Sequence, residues 1–234
     1  MARPREFDET AALNAAIDCF WHRGYEATSV RDLTASMGLS GPSLYNAFGD
    51  KRALFVRALE RYIDCSPRAR IKRLEVALPP KVAVCRFIEE IIDGSLSDPY
   101  RRGCFLVNSA LEFAPPDEEL RALIADRLGE IEMFFRRSIE RGQADGTVPA
   151  DRSATDLARL LLGVLLGIRV LARSKPHRAL LEGVARPALA LLDARHPRKK
   201  SKKSALNQEN DRSRSSLISP PERRRGLRDP EGQK

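Results

Sequence analysis

Residues 28–54, TSVRDLTASMGLSGPSLYNAFGDKRAL, leave the backbone few choices. Val30, Leu33 and Met37 recur at spacings of three and four, which places them on one face of a short helix. Gly38 follows that helix, where the left-handed conformation that stops a helix suits glycine. Ser40 is a capping residue for a second helix, with Gly41 and Pro42 in its first turn, where a missing N–H leaves no bond unmade. Leu44, Ala47 and Phe48 then face inward, and Ser43, Tyr45 and Asn46 face elsewhere. Asp50 caps a further helix that opens on Lys51. Two short helices joined by a tight glycine turn form a helix-turn-helix, whose second helix enters the DNA major groove.

The segment resembles the DNA-binding half of the TetR/AcrR family of bacterial transcriptional regulators. The residues that carry the likeness are Phe20 and Gly24-Tyr25, then Thr28 and Ser29 opening helix two, and Gly38 at the turn. Pro42-Ser43-Leu44-Tyr45 with Phe48, and Lys51 with Ala53-Leu54, complete it. Asn46 and Ala47 stand where the family often has an aromatic residue and a His, so no relative's operator carries over. The resemblance implies an all-α protein: a helix-turn-helix domain over 1–61, a helical ligand-binding and dimerisation domain over 62–195, and a disordered basic tail over 196–234. It implies a repressor that releases a palindromic operator when a small-molecule effector binds.

Charge does not by itself indicate DNA. The net charge is +9, but 196–234 holds 12 Lys/Arg against 5 Asp/Glu, leaving 29 against 27 in the rest. Residues 1–61 hold 8 of each sign. The tail is too polar to offset its ordering entropy by burial, and its basic clusters either add non-specific phosphate attraction or form a solvated extension with no dedicated role. Recognition therefore rests on a few placed residues. Arg31, on the exposed side of helix two, reaches a guanine edge or a phosphate. Ser40, Gly41, Pro42 and Ser43 are small enough for a close approach to the groove floor, and Pro42 offers apolar contact to a thymine methyl. Asn46 can bond adenine in bidentate fashion. Lys51 lies in a helix's first turn, where free N–H groups also favour an anion. By resemblance, Tyr45 contacts a phosphate, and Thr28 and Ser29 belong to the same DNA-facing set.

From Asp8 to Leu192 the pattern is helical throughout. Helix four is expected to stop before Pro67. A helix follows Pro79-Pro80 and ends near Gly94. A short apolar helix spans 102–114, a long amphipathic one 117–144, and a helix capped by Ser153 runs to about Arg173. The last fills 176–194, bent near Pro187. Helix 153–173 is apolar nearly all round and carries Gly163 and Gly167 four apart, so it is expected to be covered on more than one side. With the last helix it either lies inside one subunit's core or, as the resemblance implies, forms a four-helix homodimer interface, which would also double the few base pairs that one recognition helix reads.

Cys104, Asn108 and Glu112 recur at i, i+4 and i+8 on the helix 102–114, a polar stripe among apolar neighbours. They are the candidate ligand-binding residues, with a buried internal network or a solvent face for Glu112 as the other readings. Cys104 near Arg101 and Arg102 is a candidate redox or electrophile sensor. The four cysteines, 19, 65, 85 and 104, form no CxxC pair, so free thiols in a reducing compartment are expected. His22, His177 and His196 lie far apart, and no metal or cofactor is expected. The longest apolar run, Leu160–Ile168, is closed by Arg159 and Arg169 and is too short to span a bilayer. With no leader-like segment at Met1-Ala2-Arg3-Pro4, a cytoplasmic protein is expected, not bound to a membrane. No nucleotide fingerprint, GxSxG or HExxH motif supports an enzyme. A helical protein-interaction module would fit the C-terminal half but leaves residues 28–54 unexplained.

Overall fold

A computed structural model of the chain describes residues 7–112 and 117–193. The expected tail, 196–234, lies outside them. Every regular element among the described residues is helical: α1 (Glu9–Arg23), α2 (Val30–Met37), α3 (Gly41–Phe48), α4 (Lys51–Ile63), α5 (Ala69–Ala77), α6 (Pro80–Ser97), α7 (Phe105–Glu112), α8 (Glu118–Ala144), α9 (Ala154–Ser174) and α10 (Arg178–Leu189).

Caps set most of these starts. Asp8, Ser40, Asp50, Asp117 and Ser153 each accept a backbone N–H from the first turn of the helix they precede. Ser29 forms a reciprocal capping box with Asp32, at 3.1 and 3.0 Å. One such cap is worth about 1 kcal/mol, which matters for helices of only two turns. Gly38 ends α2 at φ +66°, the left-handed geometry that glycine adopts without cost.

The inward faces then close over one another. Leu13, Ala16, Ile17 and Phe20 of α1 meet Leu33 and Met37 of α2, Leu44 and Phe48 of α3, and Leu54, Phe55 and Ala58 of α4. This core continues without a break into Val84, Phe87 and Ile88 of α6, Phe134 and Phe135 of α8, and Leu161, Leu165 and Ile168 of α9.

Pro67 does not stop helix four. Residues Asp64–Arg68 form a π-turn, and the backbone stays helical on both sides of it, into α5. Proline lacks the N–H of an α-turn and its ring crowds the preceding turn; one wider turn absorbs both defects. Arg68 in that turn pairs with Glu130 at 2.6 Å and Asp64 at 2.7 Å, while Arg127 joins Glu60 at 2.8 Å. α6 likewise runs past Gly94 to Ser97, and α7 (Phe105–Glu112) begins at Phe105 rather than at Arg102. α10 keeps Pro187 and hands over to a single 3-10 turn, Ala190–Leu192.

Ion pairs hold α4 against α8 at both ends. At the far end from Arg68, Arg52 grips Asp117 with two bonds, 2.6 and 2.9 Å, and reaches Glu119 at 2.9 Å. The Arg52 guanidinium holds the Asp117 carboxyl at about 2, against an ordinary 3.8. A carboxylate held low in the folded state stabilises above its unfolded pKa and loses that contribution as pH falls through the folded value. Melting temperature should therefore fall between about pH 5 and about pH 2, and the gap between the native chain and Arg52→Gln should close over that range. Thermal melts of both proteins against pH test this; a gap that stays constant down to pH 2 rules out the Arg52–Asp117 contribution.

Candidate nucleic-acid interface and inner cavity

α2 and α3 are joined by Gly38-Leu39-Ser40, and their inner faces are fixed by buried Leu33, Leu44 and Phe48. What remains outside on α3 is Pro42, Tyr45 and Asn46, at i, i+3 and i+4, so the three share one face. Tyr45 is 53% exposed although it is a large apolar ring. Ser40 caps α3, and its hydroxyl lies 2.8 Å from that of half-buried Ser43. Gly41 and Pro42 form the first turn, leaving the entry to the helix without bulk.

The expected residues at the start of α2 separate. Thr28 is fully buried, and its hydroxyl donates to the Gly24 carbonyl at 2.6 Å. Its side chain has no surface to offer a partner, because it closes the α1–α2 turn. Ser29 is exposed, but its hydroxyl is bonded to Asp32 at 2.6 Å, and Arg23 also pairs with Asp32 at 2.6 Å. The Ser29 bonds, assisted by Arg23, hold the Asp32 carboxyl below its ordinary value.

The balanced charge of the N-terminal segment resolves on inspection of partners. Arg23 is paired with Asp32, Arg52 with Asp117, Arg57 with Glu9, and Arg61 bonds Asn14 at 2.8 Å. Arg31 and Lys51 have no carboxylate within ion-pair distance among the described residues. Arg31 is exposed on α2. Lys51 opens α4 with its ammonium 4.3 Å above the centre of the Tyr25 ring. That cation–π contact positions the charge while leaving it unneutralised. Asp50 already occupies the α4 N-terminus as its cap, so an anion there would be held by Lys51 rather than by the helix end.

Tyr25 was visible in the sequence only as part of the family likeness, not as a support for Lys51. Its ring stacks on Phe20, centroids 6.0 Å apart, and meets the edge of Phe55 at 5.2 Å. Burial, more than the nearby carboxylates, raises the Tyr25 phenol above its ordinary pKa.

The stripe Cys104, Asn108 and Glu112 faces three different neighbours. Glu112 accepts a bond from the Glu26 backbone N–H at 3.1 Å and lies against Gly24, where an added Cβ would sit 2.8 Å from its carboxylate. It therefore grips the α1–α2 turn rather than a cavity. Asn108 donates to the Arg102 carbonyl at 2.8 Å and accepts from Arg173 at 3.3 Å, which ties the α6–α7 connection to α9. Only Cys104 reaches an internal space, where the Tyr62 hydroxyl donates to its sulfur at 3.4 Å. Arg102 does not attend the thiol: its guanidinium pairs with Asp98 and Asp18 and lies 4.3 Å over the Trp21 ring.

That space lies between α4, the π-turn, α5, α6, α7, α8 and α9. Its walls are mostly apolar, among them Phe87, Ile91, Leu128, Ile131 and Leu165, and it offers only about 20 Å³ to water centres, room for about one water molecule. Tyr62, Ser66, Arg70 and Arg169 supply its polar groups. Burial, then the neighbouring Arg169 charge, pulls the Arg70 guanidinium below its ordinary value. A wider open groove of about 500 Å³ separates α6 from α10, bounded by Ile88, Arg178 and Asp193. Among the described residues no helix is long and apolar enough to cross a membrane.

Comparison with known proteins agrees with this geometry. Residues 12–58 match the model of bacterial regulatory proteins, tetR family, and residues 81–187 match the tetracyclin repressor-like C-terminal domain. The chain is 32% identical over 195 residues to the uncharacterized HTH-type transcriptional regulator YezE of Bacillus subtilis, covering 82% of this chain and all of that one. It is 31% identical to the HTH-type transcriptional repressor ComR of Escherichia coli, covering 73% of this chain and 82% of that one. Among solved structures, a cysteine-substituted TetR family regulator, CifR, complexed with 26-bp double-strand operator DNA, superposes with a TM-score of 0.73 at 37% identity, covering 82% of this chain and 100% of that one. With both halves matched, and with YezE covered along its full length, the chain belongs to the TetR family of bacterial transcriptional regulators.

Proposed function

We propose that this regulator is a cytoplasmic homodimeric repressor, not an enzyme, that seats α3 of each protomer in the major groove of a two-fold operator and releases it when a small molecule enters the inner cavity. The observation that carries the reading is the outward face of α3, Pro42, Tyr45 and Asn46, in a segment where Arg31 and Lys51 are among the described cations without a carboxylate partner. Tyr45, Lys51 and Arg31 serve as phosphate anchors, while Ser43 and Asn46 read bases. The relatives support it: ComR is named a repressor, and CifR was solved with operator DNA.

The dimer half of the proposal rests on α9 and α10. Leu157, Leu161, Leu165 and Ile168 are buried within the protomer, whereas Leu160 and Val170 are 43% and 46% exposed. Leu180 of α10 is likewise exposed. Nothing lies within 4 Å of a Cβ built on Gly163 or Gly167. Large apolar side chains beside bare backbone are what a second helix would cover. A two-fold dimer places its recognition helices one DNA turn apart, about 34 Å.

Release follows from connectivity. Tyr62 lines the cavity at one end of α4, and Lys51 begins the other. α7 lines the cavity through Leu106 and Val107 and holds the α1–α2 turn through Glu112. A ligand that spreads the cavity walls thus moves both attachments of the helix-turn-helix.

Titrations on DNA selected from a random pool, at several salt concentrations, test the anchors. Lys51→Ala should weaken binding to all sequences and lower the salt slope by about one. Asn46→Ala should relax preference at one base position, by about 1–3 kcal/mol, and leave the slope alone. An unchanged slope and affinity for Lys51→Ala would overturn this docking.

Gly167→Leu tests the interface by light scattering. Because space beside Gly167 is open in the single chain, the variant should fold with its melting transition intact and run as a monomer. A native chain that is already monomeric at micromolar concentration removes the dimer from the proposal.

A further inference from the structure

Several half-buried arginines among the described residues pair with carboxylates, while Arg61 and Arg152 bond the Asn14 amide oxygen and the Leu191 carbonyl instead. Arg68 holds Glu130, Asp64 and Glu60, and Arg127 holds Glu60 and Glu130; exposed Arg178, at the wide α6–α10 groove, holds Asp93 and Glu182. Arg169 also lacks a carboxylate, and unlike Arg61 and Arg152 it lines the inner cavity. It projects from α9 into the wall of the inner cavity, and its bond is to the Ser95 hydroxyl at 3.1 Å, with no carboxylate within ion-pair distance among the described residues. Its neighbours do not make up the deficit. Glu90, the carboxylate on this side of α6, is shared between Arg70 at 3.1 Å and Arg73 at 2.6 Å. Two guanidinium groups thus divide one carboxylate, and a third has none, beside an otherwise apolar space.

A cation taken partly out of water without a counter-charge is costly, and protein sites that keep one use it to bind an anion. The geometry points to the class of effector: a small organic acid whose carboxylate pairs with Arg169, with the Tyr62 hydroxyl as a further donor, and whose hydrocarbon body packs among Phe87, Ile131 and Leu165. Guanidinium matches carboxylate geometry through parallel N–H bonds, and the apolar walls supply affinity for the chain. The inference rests on the reading of this cavity as the effector site. It excludes neutral and cationic molecules as the preferred ligands.

The test uses the full chain without DNA, titrated with hexanoate and octanoate, with hexanol and octanol as neutral counterparts and acetate as the acid without a body. Calorimetry reads affinity. The single tryptophan, Trp21, reads arrival, because its ring centre lies 5.1 Å from that of Tyr62. Octanoate should bind on the order of tenfold tighter than octanol. Acetate should bind more weakly than octanoate. Arg169→Gln should lose the preference for the acid, and Arg169→Lys should keep it. Since Arg169 leaves no carboxylate orphaned, Arg169→Gln should melt no lower than the native chain; if it does not fold, the acid–alcohol comparison on the native chain still decides. Equal binding of acid and alcohol, an acid preference that survives Arg169→Gln, or no binding by any member of the series overturns the proposal. Release of selected DNA is measured in parallel. Release by the alcohol as well as the acid would sink the acid inference and leave the effector reading standing. Tight, Arg169-dependent binding of the acid without release would do the reverse.

Discussion

The contact on which both halves depend is the aromatic cluster around Phe55. This ring, fully buried on α4, meets Phe20 of α1 at 5.1 Å, Tyr25 of the α1–α2 turn at 5.2 Å and Phe105 of α7 at 5.4 Å, each nearly edge to face. Phe105 in turn meets Tyr62 at 5.7 Å, and Tyr62 meets Trp21 at 5.1 Å. Replacing a buried phenylalanine by alanine costs about 3–5 kcal/mol, a large share of the 5–15 kcal/mol typical of a whole domain. Here the loss would fall on the helix-turn-helix and on α7 together. The same rings connect the two functional regions physically: Lys51 rests on Tyr25 at one edge of the cluster, and Tyr62 faces the cavity at the other.

Electrostatics follows from that packing. An N-terminal segment with equal numbers of acids and bases has no bulk attraction for DNA. Among its described residues, Arg23, Arg52 and Arg57 are committed to the protein's own carboxylates, and in two cases those bonds also fix helix ends: Arg23 at the α2 cap and Arg52 at the α8 cap. Neutrality thus reflects structural pairing, and the cations that remain are placed rather than abundant. Such a surface gives weak steering at a distance and stronger discrimination once docked, because few of its contacts are independent of geometry.

Local chemistry made much of this legible in the sequence. Gly38, Ser40, Asp50 and Ser153 act within four residues of themselves, and each performs the turn or cap that its type and position indicated. The inner faces of α1, α4, α6 and α8 follow from spacing alone. What stayed hidden depends on partners far along the chain. The stripe of Cys104, Asn108 and Glu112 is real as a spacing, yet the three side chains have unrelated neighbours, and Glu112 serves a turn 86 residues away. Thr28 matched a family position but is buried by its own bond to Gly24. Pro67 breaks an α-turn as expected, and the chain answers with a wider turn that no local rule selects over a stop. Arg169 marked only the end of an apolar run in the sequence; its lack of a carboxylate is a property of α6 and α9 together.

The size of the cavity constrains how regulation can work. A space of about 20 Å³ admits no organic molecule, so under the proposed effector reading the ligand-bound conformation would differ from this one in the positions of α4, α7 or α9. A ligand shifts an equilibrium only by its difference in affinity for the two states. Where one state excludes the ligand sterically, that difference is nearly the whole binding free energy. Moving a population from 1:99 to 99:1 needs a preference of about 10⁴-fold, a demand that a partly open pocket meets poorly and a closed one meets readily. The cost of the arrangement appears in the apparent affinity, which is lowered by the fraction of chains that open unaided. The unpaired charge of Arg169 acts on that balance. It destabilises the closed, ligand-free walls through its repulsion with Arg70, and a bound anion would remove this repulsion only in the open state. Charge and steric exclusion therefore work in the same direction, and a neutral ligand of equal size would have only the second.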